Sequence, residues 1–181
     1  MTETPRIAPL PPGERDEDQQ RLIAAGGSEL NIFTTLVRHT KLYDVFQRFA
    51  GRLLRRSGLP EQVRETLILR TAYLCRAEYE WVHHVAIAKG IGVPEDVITA
   101  AGTDTGAVPD EHTALLISAA DQLVRDHDLD DRTWTALREH YDEQQMIELC
   151  MLVGDYGMIA GVLKSLRVQL EDGETAPDWK S

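Results

Sequence analysis

Apolar residues recur at steps of three and four along most of this chain. Leu42, Val45, Phe46, Phe49, Leu53 and Leu54 follow Thr40 at that spacing, which predicts an amphipathic helix. Arg52, Arg55 and Arg56 gather at its C-terminal end, where the helix dipole favours cations, and Ser57-Gly58 stops it. Leu59-Pro60-Glu61 opens a second long helix with Pro in the first turn and an acid behind it. That helical signal runs to Ala88 and ends at Gly90 and Gly92. Pro94 starts a short helix, and Pro109-Asp110-Glu111 starts another, carried by Leu115, Leu116, Ala119 and Leu123. Asp130 or Asp131 caps a segment bearing Trp134 and Leu137, and a last long helix runs from Asp142 to about Leu166. Toward the N-terminus, Asp16 to Ala25 forms a short helix ended by Gly26-Gly27, and Ser28 can cap the next through Phe33 and Leu36. No stretch alternates with period two, so the pattern predicts an all-α helical bundle of about seven or eight helices and no sheet.

The ends differ from this middle. Residues 1–13 hold four of the eight prolines, and an extended arm of this kind is either frayed or laid over a partner surface. The organisation expected is an arm with a short helix over residues 1–27, a helical domain over 28–170 and an acidic, mobile tail over 171–181.

With 181 residues and 43% hydrophobic residues, the chain is globular and long enough for a core without disulfides. Cys75 and Cys150 sit in separate apolar stretches with no CxxC, so buried free thiols are expected. The net charge of -11 disfavours nucleic acid and anionic membrane surfaces as partners. A small anionic ligand is still compatible with it, since one local cation in a pocket outweighs the global field. No apolar run approaches the length of a membrane span, and the N-terminal stretch has no apolar segment of the kind a secretory signal carries. The expected compartment is the cytoplasm.

One stretch concentrates chemistry: "AEYEWVHH", residues 77–84. On a continuous helix Arg76, Glu80, His83 and His84 fall within about 100° of arc on the side of Glu65, with Leu67, Leu74, Trp81 and Val85 opposite. This is the pattern of a salt-bridged solvent face, in which each i,i+4 pair contributes about 0.2–0.5 kcal/mol. Glu80 and His84 could also chelate, but two ligands without an HExxH do not make a metal site, and none is expected. A straight helix would hold Glu65 and Glu80 about 22 Å apart, so a shared site requires the chain to fold back between them. No Gly or Pro marks such a break.

The segment "RETLILRTAYLCRAEYEWVHHVAIAKGIGVPEDVI" resembles the core motif of the carboxymuconolactone decarboxylase and alkylhydroperoxidase-D-like superfamily, in its "YEW–H" branch. "NIFTTLVRHTKLYDVFQRF" before it and "DEQQMIELCMLVGDYGMIAGVLKSL" near the end are similar too, so the resemblance spans roughly residues 5 to 170. It implies an all-helical fold, a homo-oligomer, and a break near Cys75 to Glu78 that lets Glu65 approach the cluster. The peroxidase members carry a Glu, two cysteines at CxxC spacing and a His. Laid from Glu65, these positions fall on Ala77, Glu80 and His84. The Glu and His match, but both cysteines are missing, and dithiol peroxidase chemistry needs an attacking and a resolving thiol. That activity is therefore not expected.

What the resemblance leaves is an acid-base set of Glu65, Glu80 and His84 as candidate catalytic residues. Tyr79, His83, Tyr156 and Arg76 are pocket candidates, with Arg64 and Arg70 as alternative cations. The family position after the tyrosine is often His; here it is Gly157. Such a set suits proton transfer to carbon in a cofactor-independent lyase or isomerase acting on a small carboxylated or lactone-type molecule. Two other classes stay open: an oligomeric binding protein with a degenerate site, and a redox protein using Cys75 alone.

Overall fold

A computed structural model describes residues 4–179. Among them are nine α-helices and no strand: α1 Glu17–Gly26, α2 Asn31–Leu36, α3 Thr40–Arg55, α4 Glu61–Leu74, α5 Glu78–Gly90, α6 Glu95–Ala101, α7 Glu111–Arg125, α8 Asp131–Arg138 and α9 Glu143–Leu166. Only α2 and α6 are shorter than eight residues. The helix starts follow local chemistry. Asp16, Asp110, Asp130 and Asp142 each accept a backbone N–H three residues on, and those at α1 and α9 are complete capping boxes with Gln19 and Gln145. Ser28 does not cap α2; its hydroxyl accepts from Leu30 N, and Leu30 occupies the cap position.

Helix α4 is the axis of the bundle. Its residues Val63 through Tyr73 are all buried, because α5, α6, α7 and α9 surround it. A helix buried all round needs no polar face, yet α4 brings Arg64, Glu65 and Arg70 inside with it. Leu67 and Ile68 pack with Leu116, Ala119 and Ala120 of α7 and with Leu149, Leu152 and Val153 of α9 in the main core. A second cluster joins Leu69 to Ala88 and to Val97, Ile98 and Ala101 of α6. A third holds the N-terminal part together through Leu10, Ile23, Val37 and Tyr43.

Three expectations about the ends and surface change. The described part of the N-terminal arm lies on its own chain: Arg6 donates to the carbonyls of Leu166 and Ser165, and Leu10 N donates to Thr34 O. The segment expected to be a mobile tail is a strap, with Glu171 bonded to Asn31 N and Trp179 edge-on to Tyr73 and Trp81. Helix α9 is long and apolar enough by length and composition to cross a bilayer, which the run count along the sequence missed. Half of that window is buried in the bundle, where its apolar residues form the core.

Candidate active site

The decisive local structure is the connection between α4 and α5. Helix α4 stops at Leu74, and the next three residues reverse the chain. Ala77 N donates to Ala72 O at 2.8 Å and Arg76 N to Tyr73 O at 3.0 Å, the paired bonds of a Schellman motif. The residue at its centre must be left-handed, and it is Arg76, with φ 52°. The same motif closes α5, where Gly92 (φ 79°) takes that position. Holding a non-glycine residue there costs roughly 1 kcal/mol. At Arg76 this is opposed by stacking of the guanidinium over Tyr73 and Trp179, at 4.6 and 5.7 Å from the ring centroids. Lys164 of α9 donates to Cys75 O at 2.7 Å and fixes the turn from the other side.

The reversal places α5 alongside α4 and overturns the solvent-face reading. Glu65 is 4% exposed, Glu80 3%, His84 9% and Tyr156 7%. His84 Nδ1 lies 2.7 Å from Glu65 Oε2, and Tyr156 OH lies 3.0 Å from His84 Nε2. A carboxylate acceptor at Nδ1 sets the tautomer with the proton there, so Nε2 accepts from the phenol. The result is a buried Glu65–His84–Tyr156 chain that joins α4, α5 and α9. Burial pushes the Tyr156 phenol well above its ordinary value, helped by Glu65, Glu80 and Asp155 and opposed by Arg64.

Glu80 lies in the same electrostatic neighbourhood but makes no hydrogen bond; both its oxygens are buried without a partner. Desolvation, reinforced by the charge of Asp155, pushes its carboxyl up to about 9. Asp155, one residue before Tyr156, is 6% exposed, and its Oδ1 is also unpartnered. Burial raises it to about 6. A carboxyl that keeps its proton at neutral pH, next to one titrating near it, is the split that separates a proton donor from a proton acceptor. Sequence reasoning missed Asp155. The signal was present: an acid on the buried face of α9 among Leu152, Val153, Tyr156 and Ile159.

The arginines separate by environment. Arg70 is fully committed: it chelates Asp121 at 2.5 and 3.0 Å, reaches Asp104 at 3.0 Å and donates to Thr103 O at 2.7 Å. Arg76 is exposed on the turn. Arg64 is buried, donates to Leu59 O, and keeps a buried Nε without a partner. It is the cation that acts on Tyr156. Tyr79 and His83 turn to the other side of α5: the Tyr79 hydroxyl bonds Glu171 and Ile32 N, and His83 faces Glu171. Cys75 and Cys150 are both free thiols, and burial raises both. Burial alone is enough to leave Cys75 with little thiolate at neutral pH.

Two open clefts lie elsewhere among the described residues. One of about 1040 Å³ sits between α7 and α8, lined by Ser118, Gln122, Asp130, His112 and His140. Another of about 470 Å³ is lined by residues of the arm, α1 and the α1–α2 connection, including Arg15, Ile23 and Glu29. Neither cleft is lined by Glu65, Glu80, His84 or Tyr156, all of which are buried.

Residues 40–119 match the model of the carboxymuconolactone decarboxylase family. No curated protein matches the chain. Among solved structures, the debrominase Bmp8 in complex with 2,3,4-tribromopyrrole superposes with a TM-score of 0.77 at 18% identity, over 95% of each chain. A peroxidase-related protein with an alkylhydroperoxidase AhpD core from Ralstonia eutropha JMP134 gives 0.75 at 20% identity, over 92% of this chain and 93% of that one. A peroxidase-related protein from Silicibacter sp. TM1040 gives 0.74 at 14%, over 93% and 90%. At these identities the likeness is one of fold. The family match runs from the start of α3 into α7, and the fold over nearly the whole chain is similar to that of the alkylhydroperoxidase AhpD-core protein and its peroxidase-related counterpart.

Proposed function

We propose that the chain is a cofactor-independent proton-transfer enzyme, a lyase or isomerase acting on a small carboxylated or lactone-type molecule. The observation that carries this is Glu80: a carboxyl 3% exposed, with neither oxygen hydrogen-bonded, within electrostatic reach of Asp155, whose Oδ1 is also unpartnered. A carboxyl kept for structure alone is hydrogen-bonded when buried, because leaving it unpaired costs free energy. In this reading Asp155 takes a proton from carbon next to the substrate carbonyl. Glu80, still protonated, returns one to the neighbouring position. Tyr156 turns its single O–H from His84 Nε2 to the developing enolate oxygen when the substrate is bound. Arg64, with its free Nε, is the cation for a substrate carboxylate. The missing CxxC argues against dithiol peroxidase chemistry in this chain.

The test is deuterium incorporation into carbon. Carboxylated lactones and enolisable carboxylates are incubated with the protein in D2O and followed by NMR. Exchange above the buffer rate, lost in Glu80→Gln and Asp155→Asn, supports the reading. Exchange that survives both substitutions would falsify it. The burial of the cluster favours a second reading, a buried polar network that only fixes the fold. That reading predicts no exchange with any compound, together with altered stability in the same two variants.

A further inference from the structure

The other side of α5 carries a second constellation, independent of the proton-transfer reading. His83 Nδ1 lies 2.8 Å from the carbonyl of Tyr79, one turn back. A carbonyl can only accept, so Nδ1 carries the ring proton, and the neutral ring keeps its lone pair on Nε2. Nε2 faces two carboxylates of the strap, 2.7 Å from Glu171 Oε2 and 3.7 Å from Glu174 Oε2. Glu171 is oriented for this. Its Oε1 accepts from Tyr79 OH at 2.7 Å and from Asn31 N at 2.8 Å, leaving Oε2 toward the imidazole. Glu174 is held by the same turn, where its Oε2 accepts from Glu171 N at 3.2 Å. His83 Nε2 and Glu171 Oε2 are sealed from solvent, and no directed hydrogen bond joins them despite their closeness. An imidazole lone pair against a carboxylate oxygen is acceptor facing acceptor. A positive species has to lie between them, either a second ring proton or a metal ion.

We propose that His83, Glu171 and Glu174 form a binding site for a first-row divalent transition ion, with Zn2+ as the reference case, that fastens the C-terminal strap to α5. The three ligand atoms lie within 4.8 Å of one another. One imidazole nitrogen and two carboxylate oxygens suit Zn2+ better than the all-oxygen shells of Ca2+ and Mg2+. Tetrahedral ligation at about 2.1 Å sets ligand atoms about 3.4 Å apart. The 2.7 Å pair therefore opens and the 3.7 Å pair closes, each by a fraction of an ångström. The supporting shell is already built. A backbone carbonyl holds the Nδ1 proton, and a phenol and an amide hold the outer oxygen of Glu171, as metal-binding His and carboxylates require.

The test uses the full chain, stripped with a chelator and titrated with ZnCl2 by calorimetry near neutral pH. One saturable equivalent is expected, weakened about a hundredfold or more in His83→Ala and about tenfold in Glu174→Gln. Co2+ in place of Zn2+ should give visible d–d absorption that His83→Ala lacks. His112→Ala, in the α7–α8 cleft, should leave both signals unchanged. If His83→Ala does not fold, Glu174→Gln decides, since Glu174 lies on an exposed turn. Absence of a saturable event, a titration unchanged by Glu174→Gln, or one abolished by His112→Ala overturns the site. The 2.7 Å contact is then an imidazolium–carboxylate ion pair.

Discussion

Glu65 and His84 meet at 2.7 Å across nineteen positions of sequence, a span that one continuous helix would stretch to about 28 Å. The left-handed Arg76 makes the contact possible. Because the pair is buried, Glu65→Ala leaves the His84 N–H without an acceptor, and we expect a loss of about 1–3 kcal/mol. Glu65→Gln keeps an acceptor and should lose less. Urea unfolding of the three proteins orders them. Equal stability of the Ala and Gln variants would mean the imidazole finds another partner.

Glu80 gives the chain a pH dependence of known sign. Its carboxyl is raised from 4.5 to about 9, so the folded chain holds a proton that the unfolded chain releases across that interval. The associated stability is complete below about 4.5 and is lost as pH rises toward 9. Asp155 acts in the same direction between 3.8 and about 6. Glu80→Gln removes the first contribution and leaves the second. Relative to the wild type, its melting temperature should therefore rise steadily from pH 5 to pH 9. A constant difference across that range would show that Glu80 does not titrate as its burial requires.

Gly102 is where α6 ends against α5. A Cβ added there would run into the six-membered ring of Trp81, and Trp81 is in turn packed on Trp179. Gly102→Ala should cost about 1–3 kcal/mol through overpacking. It should also perturb the strap, which limited proteolysis near Trp179 would detect. Wild-type cleavage rates in this variant would show that the ring gives way freely.

Arg70 is a structural ion-pair centre rather than a substrate cation. Arg70 is 3% exposed, and its guanidinium satisfies Asp121, Asp104 and the carbonyls of Ala101 and Thr103. Arg70→Ala should destabilise by about 3 kcal/mol or more, since it strands buried acceptors. Arg70→Lys, which cannot chelate Asp121 with two N–H groups, should fall between. Arg64→Ala should instead have its larger effect on anion binding. If Arg70→Ala proves as stable as the wild type, the two assignments must be exchanged.

The fold was largely legible because its helices begin with local chemistry. Asp16, Asp110, Asp130 and Asp142 cap the helices they precede, and Gly92 closes one by the φ it alone adopts cheaply. The site was less so. The reversal at Arg76 uses no glycine or proline, and only the family resemblance pointed to it. Without that break, Glu80 and His84 fall on a charged face that periodicity assigns to solvent. Asp155 was visible only as an interruption of an apolar stripe. The strap was hidden by composition: an acidic end reads as solvated unless the contacts of Glu171 and Trp179 are known.

Trp179 stacks edge-on against Trp81, with ring centroids 5.6 Å apart, and lies 5.7 Å from Tyr73. The one other tryptophan, Trp134, is 45% exposed on α8. Two indoles this close and this nearly perpendicular are an optical probe built into the chain. Their mutual arrangement contributes to the near-ultraviolet circular dichroism, a signal that fixed aromatic packing produces and loose packing loses. The closing of the strap over the α4–α5 turn can therefore be followed in solution by the chain's own spectrum, without a label, while Trp134 supplies a background that does not depend on it.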